Sequence, residues 1–339
     1  MKYENVCIEG MGFVIPDHIV PTEWFEEQLA PLYKKLGVPR GFFARVTGIR
    51  ERRWWDEGVE PSDGSAMAGL KAIENAGIDK QEVQCLIHAA VCRDYIEPAT
   101  AVIAHHKMGL RPDVLNFDVV NACLGFINGM LIVANMIELG QIDTGMVVAA
   151  ESPREGQLLT IKRLLGNNIT KDEIRDNLAS FTLGAASVGI VLTHKSKSKT
   201  GKRLLGGAHY SGTHNHHLCV AQREWMRTDS SALLSEGGKV VIRAWELFQE
   251  ELGWKKTDIN RVFAHQISEP QRLHGLKVLG LPANGIDYPN LYTLGNTGSV
   301  AAPLCLAQGI ADGILHAGDK ACLMGVGSGV NSIILGIQW

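Results

Sequence analysis

The chain has 339 residues, room for about two domains of roughly 150 residues each, with 45% apolar and 20% charged residues in ordinary globular proportion. Those proportions exclude a disordered or collagen-like chain. Lys and Arg number 33 against 36 Asp and Glu, and the formal charge of −3 leaves no net positive field to hold nucleic-acid phosphates.

The N-terminal MKYENVCIEG puts Glu4 and Glu9 where a secretory leader needs a basic start and an apolar run, so the reading expects a cytoplasmic protein. Seven cysteines, an odd number without CxxC spacing, argue against a disulfide framework or a zinc site. A helix ending at Gly77 leads into an apolar strand at 82–88, and a loop, Val91 to Pro98, follows it. The next strand, Leu115–Val120, runs through the turn Asn121-Ala122-Cys123-Leu124-Gly125 into an apolar helix, Phe126–Leu139. Gly125, Asn128, Gly129, Asn135 and Glu138 interrupt the stretch 124–139, so it reads as a buried helix and no membrane span is expected. A strand, Gly145–Ala150, precedes a charged segment, 151–180, read as a cap. The polar stretch 195–217 is read as a linker and hinge.

Beyond it the pattern returns. A helix ending near Gly253 leads to the strand 258–264, then His265 and a helix that Pro270 opens. The polar turn Gly295-Asn296-Thr297-Gly298-Ser299 opens a second apolar helix, Val300–Leu315, and the strand Lys320–Gly325 ends in Gly325-Val326-Gly327-Ser328-Gly329. Leu86 corresponds to Val262 and Val148 to Leu323 at a nearly constant offset. Strands alternating with helices in two similar halves predict a duplicated α/β protein with a parallel sheet covered on both faces, halves at 1–194 and 195–339.

Cys123 sits where a strand gives way to a helix, a place where ligands bind in α/β folds and where helix amides favour a thiolate. Cys85, Cys305 and Cys322 lie inside apolar runs and read as core. The duplication expects His265 at a strand end beside the Cys123 helix, with Asn296 in the matching turn. The Gly325–Gly329 loop is GxGxG and runs on into a strand, so it fails as a dinucleotide motif. Its amides, with that of Cys123, can form an oxyanion hole for a thioester carbonyl.

Together these motifs resemble the thiolase superfamily, in particular the condensing enzymes similar to ketoacyl-carrier-protein synthase III. Thr47-Gly48-Ile49 with Arg53, Asn121–Phe126, Ala264-His265-Gln266 and Gly295–Ser299 carry the resemblance over almost the whole chain. It implies a duplicated five-layered αβαβα fold, a homodimer, an acylated Cys123, and His265 with Asn296 on the second thioester carbonyl. It also places the second oxyanion-hole amide on Ser328. The loop Val91–Pro98 resembles that of the bacterial olefin-biosynthesis thiolases, which makes Glu97 a catalytic base reaching into the partner's site. A simple acyl-CoA must lose an α-proton, and a carboxylate in an apolar pocket can take it.

The resemblance therefore implies a non-decarboxylative Claisen condensation of two acyl-CoA thioesters, with no metal or redox cofactor. The alternative is a synthase III reaction with a malonyl carrier protein, in which Glu97 is incidental; an acyl carrier protein or later pathway enzymes are candidate partners. The chain departs from synthase III at Ile267-Ser268, after His265-Gln266, and at Phe42, where that enzyme carries an adenine-stacking tryptophan. His214, His216 and His217 have metal-like spacing but no neighbouring acid, and Lys195, Lys197, Lys199, Lys202 and Arg203 read as a solvated run. A papain-like hydrolase shares the order Cys, His, Asn but needs a Gly-x-Cys-Trp context that is missing. A non-catalytic acyl-CoA-binding protein would not need the intact triad.

Overall fold

A computed structural model of the chain describes residues 1–166 and 169–339; residues 167 and 168 of the expected cap lie outside the described residues. Strand β1 (Val6–Val14) is followed by an antiparallel pair, β2 (His18–Pro21) and β3 (Glu51–Trp54), with helices α1 (Thr22–Gln28), α2 (Ala30–Leu36) and α3 (Phe42–Thr47) between them. Helix α4 (Pro61–Ala76) opens with Pro61 and a capping box between Glu60 and Asp63, and stops at Gly77 in the left-handed region. Then come β4 (Cys85–His88), α5 (Thr100–Met108), β5 (Leu115–Asp118), α6 (Gly125–Glu138) and β6 (Thr144–Glu151). Helices α7 (Arg154–Leu164) and α8 (Lys171–Thr182) form the cap before β7 (Ala186–His194). The second half contains β8 (Arg203–Ser211), the hairpin β9 (Cys219–Gln222) and β10 (Trp225–Thr228), α9 (Ser230–Leu252), β11 (Arg261–Ala264) and α10 (Glu269–Val278). A single turn, α11 (Leu291–Leu294), precedes α12 (Ala301–Ala311), β12 (Lys320–Gly327) and β13 (Asn331–Gln338).

The strand order repeats. The first half reads β1-β7-β6-β4-β5 and the second β8-β13-β12-β11, with Asp287 bridging Val262 in the fifth position. In both halves the two strands nearest the junction pair antiparallel and the outer ones parallel. The sheet is therefore mixed rather than parallel, because β12 returns through a tight hairpin into β13, and the matching β6 also runs against β7. The halves join where β1 meets β8, through Cys7 opposite Arg203.

Alternation along the strands places the layers. In β4, Cys85 and Ile87 face a core shared with Phe126, Ile127 and Met130 of α6, while Leu86 faces Ala72 and Ile73 of α4 and Ala104 of α5. In β12, Leu323 faces that same central core, which also holds Leu304 and Leu306 of α12, while Cys322 and Met324 face Ala244 and Phe248 of α9 and Leu276 of α10. The five-layered αβαβα arrangement follows. Helices α6 and α12 are apolar on nearly every side because sheet covers both their faces.

The expected linker at 195–217 is a correction. Its middle is β8, which pairs with β13 along Arg203–Ser211, and only the short turns flanking it are loop. The reading failed because β8 shows no clean polar alternation: Gly206, Gly207 and Ala208 carry little hydrophobic signal although all are buried. The basic run is also engaged with the protein. Lys197 pairs with Asp143 at 2.8 Å, Lys199 donates to the Gly77 carbonyl, and Lys202 lies 3.6 Å above the Trp339 ring.

Candidate active site

The segment after β5 does not enter α6 directly. Ala122 adopts φ 45°, the only non-glycine residue in the left-handed region among the described residues, and Leu124 N donates to Asn121 O at 2.9 Å. A strained residue of this kind, held by its surroundings, aims its neighbour away from the helix axis. Cys123 consequently stands two residues outside α6, half-buried, at the head of the central layer.

This position overturns the expectation of a ready thiolate. Burial, and next the carboxylate of Glu151, push the Cys123 thiol up to about 12. Both effects oppose the helix end, whose amides begin beyond the cysteine.

His265 follows β11, and its N–H donates to Met324 O at 2.8 Å, which continues the parallel ladder to β12. Its side chain is buried, and burial brings the imidazole down to about 4, opposed by the Asn296 side chain and the Val326 backbone. The ring is neutral at physiological pH. His265 Nε2 lies 3.1 Å from Asn296 Oδ1, which also accepts from Gly298 N at 3.0 Å. Two donors on one oxygen assign Nε2–H to the histidine and leave the Asn296 amide hydrogens for another acceptor. The Asn296 backbone is pinned on both sides, N to Thr182 O and O to Gly184 N.

The hairpin end of β12 joins the two halves of the site. Gly327 passes so close to the nucleophile segment that a Cβ there would stand 3.1 Å from the Leu124 side chain and 3.6 Å from Cys123 N. Ser328 is the next residue, in the turn to β13. Strand β12 thus links the two: His265, bonded to Asn296, donates to its Met324, and its end at Gly327, next to Ser328, passes the Cys123 segment.

Glu97 is not part of that cluster within one chain. It is exposed on the loop after β4, beside Tyr95 and Ile96, and makes no hydrogen bond or ion pair among the described residues. The expected apolar pocket around it is not formed by its own chain. The loop's base is firmly held: Asp94 accepts from Ser62 N at 2.9 Å, and Val91 N and Cys92 N donate to Glu151.

Two residues escaped the sequence reading. Glu151, assigned to the cap as its first residue, ends β6 and is buried in the site, where Ser299 also donates to it. A carboxylate closing a strand of eight buried residues was the available signal. Arg52 is fully buried, whereas the expected Arg53 pairs with Glu51. Arg52 donates to Phe181 O and Thr22 Oγ1, lies 4.6 Å from the centre of the Phe25 ring, and burial lowers it to about 9. It fastens the cap to the N-terminal helices. His214 contacts Asn215, and His216 and His217 meet edge to face.

The chain is similar to known proteins in both sequence and fold. The C-terminal domain of 3-oxoacyl-[acyl-carrier-protein] synthase III matches residues 249–339. The chain is 38% identical to an acyl-CoA:acyl-CoA alkyltransferase of Shewanella oneidensis and 34% identical to one of Xanthomonas campestris, covering 100% of both chains in each case. It superposes on the crystal structure of cerulenin-bound OleA from Xanthomonas campestris with a TM-score of 0.97 and 33% identity, over 100% of this chain and 98% of the other.

Proposed function

The chain belongs to the acyl-CoA:acyl-CoA alkyltransferases, condensing enzymes with the thiolase fold, and from that premise we propose how its residues divide the reaction. The protein is an acyltransferase that joins two acyl-CoA thioesters to a β-ketoacyl product by a non-decarboxylative Claisen condensation. In the first half-reaction Cys123 sulfur bonds to the acyl carbon, the thioester C–S bond breaks, and CoA leaves with the thiol proton. The amides of Cys123 and Ser328 hold the carbonyl oxygen as it becomes an oxyanion.

In the second half-reaction Glu97 takes the α-proton of another acyl-CoA. The Asn296 amide hydrogens stabilise the enolate oxygen, and His265 Nε2–H turns to it from Asn296 Oδ1 when the substrate is bound. The carbanion then forms the C–C bond while the Cys123 C–S bond breaks. No step calls for a metal or a redox cofactor, since the thioester itself activates both carbons. The observation that carries this reading is the buried, neutral His265 held against Asn296, a pair of uncharged donors suited to an enolate.

The reading includes a homodimer in which Glu97 completes the partner's site. In support, Val91, Tyr95, Ile96 and Val120 expose apolar surface, Ile96 to 91%, and β5 ends the sheet with one edge unpaired. A nucleophilic thiol that must stay reduced suits the cytoplasm. Among the described residues no helix is long and apolar enough to cross a membrane.

The match of residues 249–339 keeps a second reading in view, decarboxylative condensation with a malonyl carrier protein. Purified enzyme incubated with acyl-CoA alone should release CoA and form a β-ketoacyl product. Product that forms only after a malonyl donor is added would establish the second reading instead.

A further inference from the structure

Glu151 is a buried carboxylate, 5% exposed, with no cation paired to it among the described residues. Four donors compensate its charge. Oε1 accepts from Ser299 Oγ at 2.6 Å, Ser299 N at 3.1 Å and Val91 N at 3.1 Å, and Oε2 accepts from Cys92 N at 3.2 Å. Gly298 makes the arrangement possible: at φ 59° it passes so near that a Cβ would stand 3.0 Å from Oε1. These donors come from two loops far apart in sequence. One carries Asn296, three residues before Ser299; the other carries Glu97, at the tip of the loop that Val91 and Cys92 begin.

We propose that Glu151 is the positioning residue of the condensation step, a single buried anion that sets the Asn296 loop and the Glu97 loop in register with the nucleophile. The proposal rests on the division of roles given above. Breaking a buried charge away from its donors is costly, so the two loops are held as strongly as the carboxylate is. Near-attack geometry is sensitive, and a displacement of about 1 Å in either loop can cost on the order of a hundredfold in rate.

The same anion acts on Cys123 in the opposite sense. Cys123 is faced by Glu151 from β6, by Cys219 from β9, and by the uncharged backbone of β12, and His265, just after β11, is neutral. Removing the charge of Glu151 makes the thiolate easier to form. A merely structural carboxylate would slow both half-reactions together when it is removed. A positioning carboxylate beside the thiol slows condensation and leaves acylation as fast or faster.

The test uses the full-length enzyme and follows three readouts: acyl transfer to Cys123 by intact mass, β-ketoacyl formation, and the pH profile of Cys123 alkylation by iodoacetamide, mapped by peptide mass spectrometry. Glu151→Gln should lose on the order of a hundredfold in condensation, keep its acylation rate, and shift the alkylation profile to lower pH. Glu151→Asp keeps the anion and should keep the wild-type alkylation profile. Equal loss of both half-reactions, loss of neither, or an unmoved alkylation profile in Glu151→Gln would overturn the proposal. Should Glu151→Gln fail to fold, Ser299→Ala removes one donor and leaves the charge: condensation should fall several times more than acylation, and equal falls would overturn the proposal. Wild-type enzyme that gains no acyl group on Cys123 defeats the underlying assignment of roles, a result separate from any behaviour of the Glu151 variants.

Discussion

Cys123 and His265 rest as a neutral pair, a thiol pushed up to about 12 and an imidazole brought down to about 4. The site thus holds no buried ion pair between turnovers, and the thiol must lose its proton as it is acylated. Cys123→Ala should form no acyl adduct by intact mass; an adduct formed at the wild-type rate would move the nucleophile to another cysteine. His265→Ala and Asn296→Ala should slow product formation far more than CoA release during acylation, and equal losses would refute their assignment to the second carbonyl. The buried histidines also set a pH dependence of stability. His265 and His88 each fall to about 4 through burial, so the unfolded chain binds more protons between that value and about 6.5. The stability they contribute is complete above about 6.5 and is lost as pH falls toward 4. Urea midpoints measured from pH 7.5 to 4.5 should fall accordingly, and less steeply in His88→Gln.

Helices α6 and α12 hold the two halves of the site because each is fully enclosed between half-sheets. Leu304 of α12 is completely buried in that central layer, and Leu304→Ala should cost about 2 to 5 kcal/mol by urea unfolding. A cost below about 1 kcal/mol would mean that the layer is loosely packed. These two helices were legible in the sequence as apolar runs opened by polar turns, and their ends shifted only slightly, as with α12 ending at Ala311 rather than 315. Strand β8 was not legible, since its buried glycines and alanine carry no hydrophobic pattern. Glu151 was missed for a related reason: its role depends on donors from Val91, Cys92 and Ser299, which lie far from it in the sequence.

Assembly is where the placement of Glu97 is decided. Cys123→Ala and Glu97→Ala chains, each expected to lack condensation activity, can be unfolded and reassociated in equal amounts. In the proposed homodimer random pairing makes about half the dimers mixed, by the two-fold symmetry such an interface would have. If the glutamate acts across the interface, one site of each mixed dimer is complete, and about a quarter of wild-type site activity should return. No return, with mixed dimers confirmed by native mass spectrometry, would place Glu97 in its own chain's site. Full activity of the Glu97→Ala parent would remove the base altogether and favour the malonyl-dependent reaction.

Local chemistry was enough to recover the alternation of strands and helices, the duplication, and the motifs around Cys123, His265 and Asn296. Each is a pattern among neighbouring residues or a motif that repeats along the chain. The state of the thiol was beyond its reach, because burial and the field of Glu151 arise only once β5, β6 and β12 converge. Sheet direction, the strand hidden in the supposed linker, and the exposure of Glu97 likewise depend on which distant segments pack together. Such contacts leave no periodic trace in the residues that make them.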